Sequence, residues 1–420
     1  MDRFTEKASK LKIILSVSVT VVIFIIGLAF FARPTRSENE KRELTHFPEF
    51  TVDGFLSGEF TSQVSLWFSD TYPLREMMIE ANASLNSLYG IRDEQVIGGG
   101  EGDDIPAGPA DIEFNPTDDG KGEGFEGMYI NGDTAYQLYF FNKQNSDSYV
   151  ALVNDFASQV KGKAQVYDMI VPLHYQIALS EETVKKYNAS DCGDAIDYMY
   201  GNLADGIKSV DTLPYLTAHN DEYLYFRTDH HWTALGAYYA YLAFCEVKGI
   251  TPTQLSDYRR LQFDGFLGTF YAGARQPQAM KGNPDYVEAF VPIGVNEEDV
   301  YDSKGNKIAE LAVVYTGADK YDAGNKYLTF IGGDQPLIKI HNPKINDGSS
   351  IVIVKESYGN AFVPFLVDSY EYVYVIDYRA WSGNLASFVI DNGVNDVLFL
   401  NVVSNTSTGE RLKELSSIIK

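Results

Sequence analysis

Ser350-Ile351-Val352-Ile353-Val354-Lys355-Glu356-Ser357-Tyr358-Gly359-Asn360 reads as a strand, a tight turn and the start of a helix. Ser350–Lys355 is β-branched and apolar without polar alternation. That is the pattern of a strand buried on both faces of a parallel sheet. Residues 360–368 then offer an apolar stretch of helix length, which Pro364 starts or kinks. The pattern recurs on both sides. Residues 165–172 form an apolar run ending in Pro172, Tyr372–Asp377 a further strand, 382–392 a helix and 396–403 another strand. Strands alternating with helical patterns imply βαβ units. From residue 127 to 420 we therefore expect an α/β domain with a parallel sheet. Residues 265–345 mix Gly, Tyr, Asp and short β-like runs, and read as an insertion of strands and loops over the site.

The formal charge is 34 − 58 = −24 over 420 residues, and no basic stripe offsets it. A chain this acidic is repelled by nucleic acid, so that class of partner is set aside. The two cysteines, Cys192 and Cys245, are far apart and form no C-x-x-C pair. Thiol redox chemistry and a zinc cluster have no support. Cys245 lies in an apolar helical run and reads as a buried thiol.

Residues 13–32 carry no charge and are dominated by Ile, Val, Leu and Phe. At about 1.5 Å per residue such a run spans a bilayer core of roughly 30 Å. Arg3, Lys7, Lys10 and Lys12 precede it, which favours a cytoplasmic N-terminus. A cleaved signal peptide is the competing reading, but Phe30 and Phe31 crowd the expected cleavage site. The expectation is a cytoplasmic tail and uncleaved signal-anchor over 1–35, single-pass in the cell membrane, with the main domain extracytoplasmic. Residues 36–97 read as a mostly helical stem. Residues 98–126 are rich in Gly and acidic residues, lack calcium-loop spacing, and read as a flexible loop.

The chemistry concentrates in Arg227-Thr228-Asp229-His230-His231-Trp232-Thr233. Thr233 is a plausible N-cap for the apolar helix after it. Asp229 and His231 should then lie on the extended approach, where residues two apart share a face. There the carboxylate reaches the imidazole Nδ1–H, fixes its tautomer and orients it as a general base. His230 would face the other way. Adjacent histidines that diverge are poor partners on one metal, and no H-x-x-x-H occurs, so neither a metal nor another cofactor is expected. Ser357 falls at the carboxyl end of a buried strand and before a helix, the edge where open α/β sheets place their ligand crevice. It is the candidate nucleophile, or else a helix-capping serine. Its N–H and those of Tyr358 and Gly359 are the candidate oxyanion donors. Arg379 ends the next strand, where it touches a substrate oxygen or makes a surface salt bridge. His174 and Tyr175 end another strand, as crevice residues or as loop packing.

Thr228-Asp229-His230-His231-Trp232-Thr233 together with Lys355-Glu356-Ser357-Tyr358-Gly359-Asn360 resembles the bacterial DHHW family. Ser37–Arg42 with Phe47-Pro48, and Trp67, Asp70, Pro73 and Arg75 in the stem, add softer matches. The resemblance extends to SGNH-hydrolase-like proteins that O-acetylate alginate and other exported polysaccharides. It implies a three-layer sandwich in which Asp229 orients, His231 is the base and Ser357 the nucleophile, with the motifs in permuted order. It also implies a polysaccharide substrate and a multi-spanning membrane-bound O-acyltransferase as the source of the acyl group. Glu356 stands where many SGNH proteins have Asp, and the oxyanion Gly and Asn of that family find no single match. A carbohydrate esterase, or a non-catalytic glycan-binding or assembly subunit on the same scaffold, are the alternatives.

Overall fold

The computed structural model describes residues 33, 35–37, 42–57, 59–72, 94–110, 112–117 and 127–420. The apolar run 13–32 lies outside them. Among the described residues no helix is long and apolar enough to cross a membrane. The chain divides into two compact units, residues 1–91 with 272–278, and residues 92–271 with 279–420.

In the first unit, helices α1 (Val52–Ser57) and α2 (Glu59–Asp70) follow a two-residue ladder, Arg36–Ser37 against Arg42–Glu43. The Trp67 ring meets Phe47 edge-to-face at 4.8 Å, and the Arg33 guanidinium lies 4.3 Å over it. Asp70 accepts the N–H and hydroxyl of Thr45 at 2.8 and 2.9 Å. Residues 38–41, 58 and 73–93 of the expected stem, Pro73 and Arg75 among them, are outside the described residues.

The second unit begins earlier than the expected boundary. β1 (Glu94–Gly98), assigned from sequence to the stem, pairs with β2 (Gly127–Asn131), which pairs with β3 (Thr134–Leu138) in an antiparallel sheet. Beyond Gly98, the described part of 98–126 carries no regular structure, yet it is fastened down rather than loose. The backbone N–H groups of Ala110, Asn115 and Thr117 donate to Asn202, Ser148 and Asn145. Ile105, Ile112 and Phe114 pack on the main core.

The central sheet and its helices draw on α3 (Lys143–Gln159), β4 (Gln165–Val171), α4 (His174–Ala178), α5 (Cys192–Tyr200), β5 (Lys208–Ser209) and α6 (Ala234–Lys248), then on elements beyond a hairpin. That hairpin is β6 (Arg259–Phe266) against β7 (Asp285–Val291). β8 (Glu298–Tyr301), β9 (Lys307–Leu311), β10 (Leu337–His341), β11 (Ser350–Lys355), α7 (Gly359–Leu366), β12 (Tyr372–Asp377), α8 (Leu385–Asp391), β13 (Asp396–Val402) and α9 (Gly409–Ile419) complete it. The eight strands run in the order β9-β8-β10-β12-β11-β13-β4-β5. β12, β11, β13, β4 and β5 are mutually parallel, as the buried β-branched runs require. β10, β8 and β9 join antiparallel. The sheet is therefore mixed: β8, β9 and β10 of the expected insertion extend it, while other parts of 265–345 lie outside it.

Helices lie on both faces of this sheet. Tyr167 and Asp168 are neighbours on β4 and point to opposite sides. The Tyr167 ring meets Phe244 of α6 at 5.3 Å. Asp168 is level with Phe399 on β13, whose ring meets Phe156 of α3 at 5.3 Å. So α6 and α3 cover opposite faces. α6 starts and stops where its sequence dictates. The Thr233 side chain caps the Gly236 N–H at 3.3 Å, and Gly249 takes φ 79° at the C-terminus. α7 begins at Gly359, so Pro364 sits inside it. Both cysteines are free and buried.

Phe244 is fully buried between Tyr167 and Phe362. Phe244→Ala should cost about 3–5 kcal/mol of stability in a denaturant titration, because the helix cannot close onto the sheet to fill the gap. A loss below about 1 kcal/mol would contradict this packing.

Candidate active site

Three segments meet at the carboxyl edge of the parallel strands. The first is the loop before α6. Tyr225 and Trp232 pair as an antiparallel bridge, and the Phe226 N–H donates to the His231 carbonyl at 3.2 Å. Residues 227–231 are thus a bent loop closed at its base, not the extended approach expected from sequence. The bend itself makes the Asp–His contact. Asp229 Oδ1 accepts the His231 N–H at 3.1 Å and lies 2.6 Å from Nδ1 of the same residue. This is an Asx-type turn that also grips the imidazole.

The second segment follows β6. The Thr269 N–H and hydroxyl donate to Asp229 Oδ2 at 2.9 and 3.1 Å. A Cβ at Gly268 would sit 2.2 Å from the Asp229 carboxylate, so the backbone can approach only because that residue is glycine. Burial alone would raise the Asp229 carboxyl. The charges of His231 and His230, and the hydrogen bonds from His231 and Thr269, outweigh it and hold the group well below the usual range. Asp229 is therefore an acceptor only. Nδ1 of His231 carries the hydrogen, and Nε2 presents its lone pair.

The third segment is the turn from β11 into α7. Nε2 of His231 lies 2.7 Å from Ser357 Oγ. Asp229, His231 and Ser357 thus form one continuous hydrogen-bonded relay, in an environment where Asp229 and His231 are nearly buried. Trp232 fastens the first segment to the third, its indole N–H donating to the Tyr358 carbonyl at 2.9 Å.

The other residues singled out in the sequence fall differently. The N–H groups of Tyr358 and Gly359 are not available for an oxyanion. Tyr358 N–H donates to Glu356 Oε2 at 3.0 Å, and Gly359 N–H to the Glu356 carbonyl at 2.9 Å. Ser357 N–H donates to no protein acceptor among the described residues. Glu356 ties down the turn by also accepting the Val402 N–H at 3.0 Å. His230 does not face away. Its ring centroid lies 3.8 Å from that of His231, because the bend brings the side chains together, and its Nδ1 contacts the Thr269 hydroxyl at 2.7 Å. Burial first, then the neighbouring His231, pushes His230 down to about 3, so it is neutral near pH 7. Asp229, His230 and His231 each offer one atom within 4.8 Å of the others, a spacing a metal ion could share. Both ring nitrogens of His231 are engaged by Asp229 and Ser357, so such an ion would displace the relay.

Arg379 makes no exposed surface pair. It donates to Asp377 at 2.6 and 2.9 Å and to Asp334 at 2.8 Å, while the fully buried Lys355 reaches the same two carboxylates at 3.0 and 3.1 Å. His174 and Tyr175 serve packing. The His174 ring stacks on Tyr225 at 5.0 Å, and Tyr175 donates to the Ser190 carbonyl. Tyr327, which the sequence reading passed over, stacks on His231 at 4.1 Å and donates its hydroxyl to the Ser357 carbonyl at 3.1 Å. Thr269 and Asp334 were passed over too. Only the small-residue pairs beside them, Gly268 before Thr269 and Gly332-Gly333 before Asp334, mark those loops in the sequence.

Two outcomes test this geometry. Gly268→Ala pushes a methyl group into the Asp229 carboxylate, and a misplacement of that size should lower any Ser357-dependent turnover by about 100-fold; full turnover would contradict the close approach. His174 has a buried Nδ1 without a partner, and burial pushes the ring down to about 3. The unfolded chain then takes up a proton below about pH 6.5 that the folded ring refuses, so stability falls as pH drops from there toward 3. His174→Phe should flatten that part of the acid limb of the denaturation midpoint, and an unchanged limb would contradict the assignment.

The DHHW protein family model matches residues 40–120 and 115–376. No curated protein matches. Among solved structures, a DHHW family protein from Eubacterium siraeum is 32% identical, with a TM-score of 0.63 over 70% of this chain and 96% of that one. Bacillus cereus PatB1 is similar in fold at 18% identity in a structure with a sulfonyl adduct, with a TM-score of 0.58 over 71% of this chain and 99% of that one. A second structure of PatB1 gives 20% identity and a TM-score of 0.57, over 68% of this chain and 98% of that one. With Asp229-His230-His231-Trp232 at its centre, the chain belongs to the DHHW family.

Proposed function

We propose that this protein is a membrane-anchored, extracytoplasmic O-acyltransferase of cell-surface or exported polysaccharide, with acetyl as the group transferred. Its scaffold would be that of the SGNH-hydrolase-like proteins with the motifs in the order Asp, His, Ser. The observation that carries the reading is the relay Asp229–His231–Ser357, with contacts of 2.6 and 2.7 Å.

In this reading Ser357 Oγ attacks the acyl carbonyl of the donor while His231 Nε2 takes the hydroxyl proton. Asp229 stabilises the imidazolium that forms. The Ser357 N–H is the backbone donor still open to the developing oxyanion. Collapse breaks the bond to the leaving alcohol, which receives the proton from His231. A sugar hydroxyl then repeats the sequence in reverse, giving its proton to His231 and taking the acyl group from Ser357. Tyr327 holds the base in register with the nucleophile by touching both. The sulfonyl adduct in the PatB1 structure supports a covalent reading, because a sulfonyl centre is attacked by the same kind of nucleophile as an acyl carbon. The acyl donor reaches an extracytoplasmic site from across the membrane, so a multi-spanning membrane-bound O-acyltransferase is the expected partner. The apolar run 13–32 would anchor the chain beside it.

The test is turnover of an activated acetyl ester by the full chain. Ser357→Ala and His231→Ala should reduce it to background, and Asp229→Asn by about 10⁴-fold. His230→Ala should stay within about tenfold of the parent, since that ring is neutral and outside the relay. Hydrolysis without transfer to any sugar would make this a carbohydrate esterase. Glycan binding with no ester turnover, unaffected by Ser357→Ala, would make it a binding or assembly subunit.

A further inference from the structure

Lys355, Asp377, Asp334 and Arg379 form a four-charge cluster close to Ser357. Lys355 and Asp377 are its buried half, 0% and 1% exposed at the side chain. Asp334 is its open half, at 41%. The turn that delivers Asp334 is unusual. Ile331, Gly332 and Gly333 take φ of 46°, 59° and 84° in succession. Two glycines adopt this region freely, but a buried β-branched isoleucine does not. Its N–H donates to the Val313 carbonyl at 2.8 Å, which holds the strained residue in place.

So delivered, Asp334 is fixed from three sides. Oδ1 accepts Lys355 Nζ at 3.1 Å and Asn360 Nδ2 at 2.9 Å, and Oδ2 accepts one Arg379 terminal nitrogen at 2.8 Å. A carboxylate oxygen has two lone pairs, so Oδ2 keeps an acceptor site on a side chain that is 41% exposed. Arg379 uses Nε and that same terminal nitrogen on Asp377 and Asp334; its other terminal nitrogen donates to no acceptor among the described residues. The Asn360 carbonyl Oδ1 is buried and likewise has no partner. Asn360 also links the cluster to the nucleophile, its backbone N–H donating to the Ser357 carbonyl at 3.2 Å.

We infer that Asp334 and Arg379 form the acceptor subsite, binding two neighbouring hydroxyls of an uncharged sugar so that one of them is presented to the acylated Ser357. An acceptor oxygen and a donor nitrogen suit a vicinal diol, one hydroxyl giving its proton to the carboxylate and its neighbour accepting from the guanidinium. The cluster has two cations and two anions, so it has no net attraction for a charged sugar. The inference rests on the proposed acyl-enzyme, because it assigns the second substrate of that same site.

The experiment uses the full chain with 4-nitrophenyl acetate as donor, and with methyl β-D-glucopyranoside and ethanol as competing acceptors at equal hydroxyl concentration. The readout is the ratio of acetylated glucoside to ethyl acetate. The wild-type chain should favour the glucoside, and Asp334→Asn and Arg379→Lys should each lower the ratio by about tenfold or more, as expected when a site built to hydrogen-bond a hydroxyl loses a partner. A defect that merely loosens the fold slows both products together and leaves the ratio unmoved. Arg379→Lys keeps the charge balance of the cluster and supplies the test if Asp334→Asn unfolds. An unchanged ratio in a variant that still acetylates Ser357 overturns the subsite, as does a wild-type chain without preference for the glucoside. Absence of acetyl-Ser357 in the wild-type chain instead overturns the acyltransferase reading, and the subsite with it.

Discussion

The contact on which the rest of this site depends is the one between Asp229 and Nδ1 of His231. One residue, His230, separates the partners in sequence, and a bent backbone brings them to 2.6 Å. The bend is held at its base by the Tyr225–Trp232 bridge, and beyond it by the Thr233 cap that starts α6. Trp232 then carries the geometry across to the nucleophile turn through the Tyr358 carbonyl. A helix start, a hairpin base and a strand end are thereby locked to one another. The elements that bear Asp229, His231 and Ser357 share hydrogen bonds, and these fix the 2.6 and 2.7 Å contacts.

Charge is distributed with the same economy. Asp229 is ionised despite burial because two imidazoles and two Thr269 donors face it. His230, beside it, is neutral despite a carboxylate neighbour, since burial outweighs that attraction. Both groups are thus pushed down, so near pH 7 the carboxyl is charged and the His230 ring is not, and His231 is the ring that stands between an acceptor and a hydroxyl. Glu356 supplies a different service. It takes the Tyr358 and Val402 N–H groups, so the turn before α7 is braced to β13 and the Ser357 N–H is left open.

The parallel half of the sheet was legible because its strands are short, β-branched and buried on both faces, so pattern and burial agree in Ser350–Lys355, Tyr372–Asp377 and the strand from Asp396. The antiparallel half was not. β8 and β9 are short, and β9 is largely exposed, so no periodic run announces them. The three members of the relay were legible because each sits at a strand or helix boundary with a motif around it. Their supporting cast was not, since Thr269, Tyr327 and Asp334 arrive from loops far along the chain, and what places them is long-range contact. The reading of His230 failed for a related reason. Extended geometry was assumed for a segment that the Phe226–His231 hydrogen bond closes into a loop. Tyr358 and Gly359 failed as oxyanion donors because a glutamate immediately before the serine captures one N–H through its side chain and the other through its carbonyl. His174 and Tyr175 sit at a strand end, but stacking and a backbone carbonyl claim them.

The most direct measurement of the central claim is covalent labelling of the full chain with a sulfonyl fluoride, followed by intact-mass and peptide mapping. The relay predicts one adduct, on Ser357, whose formation collapses in His231→Ala, since without the base the hydroxyl is an ordinary alcohol. No adduct, an adduct on another residue, or labelling of Ser357 at an undiminished rate in His231→Ala would contradict the account, because Ser357 would then not be activated by the imidazole 2.7 Å away.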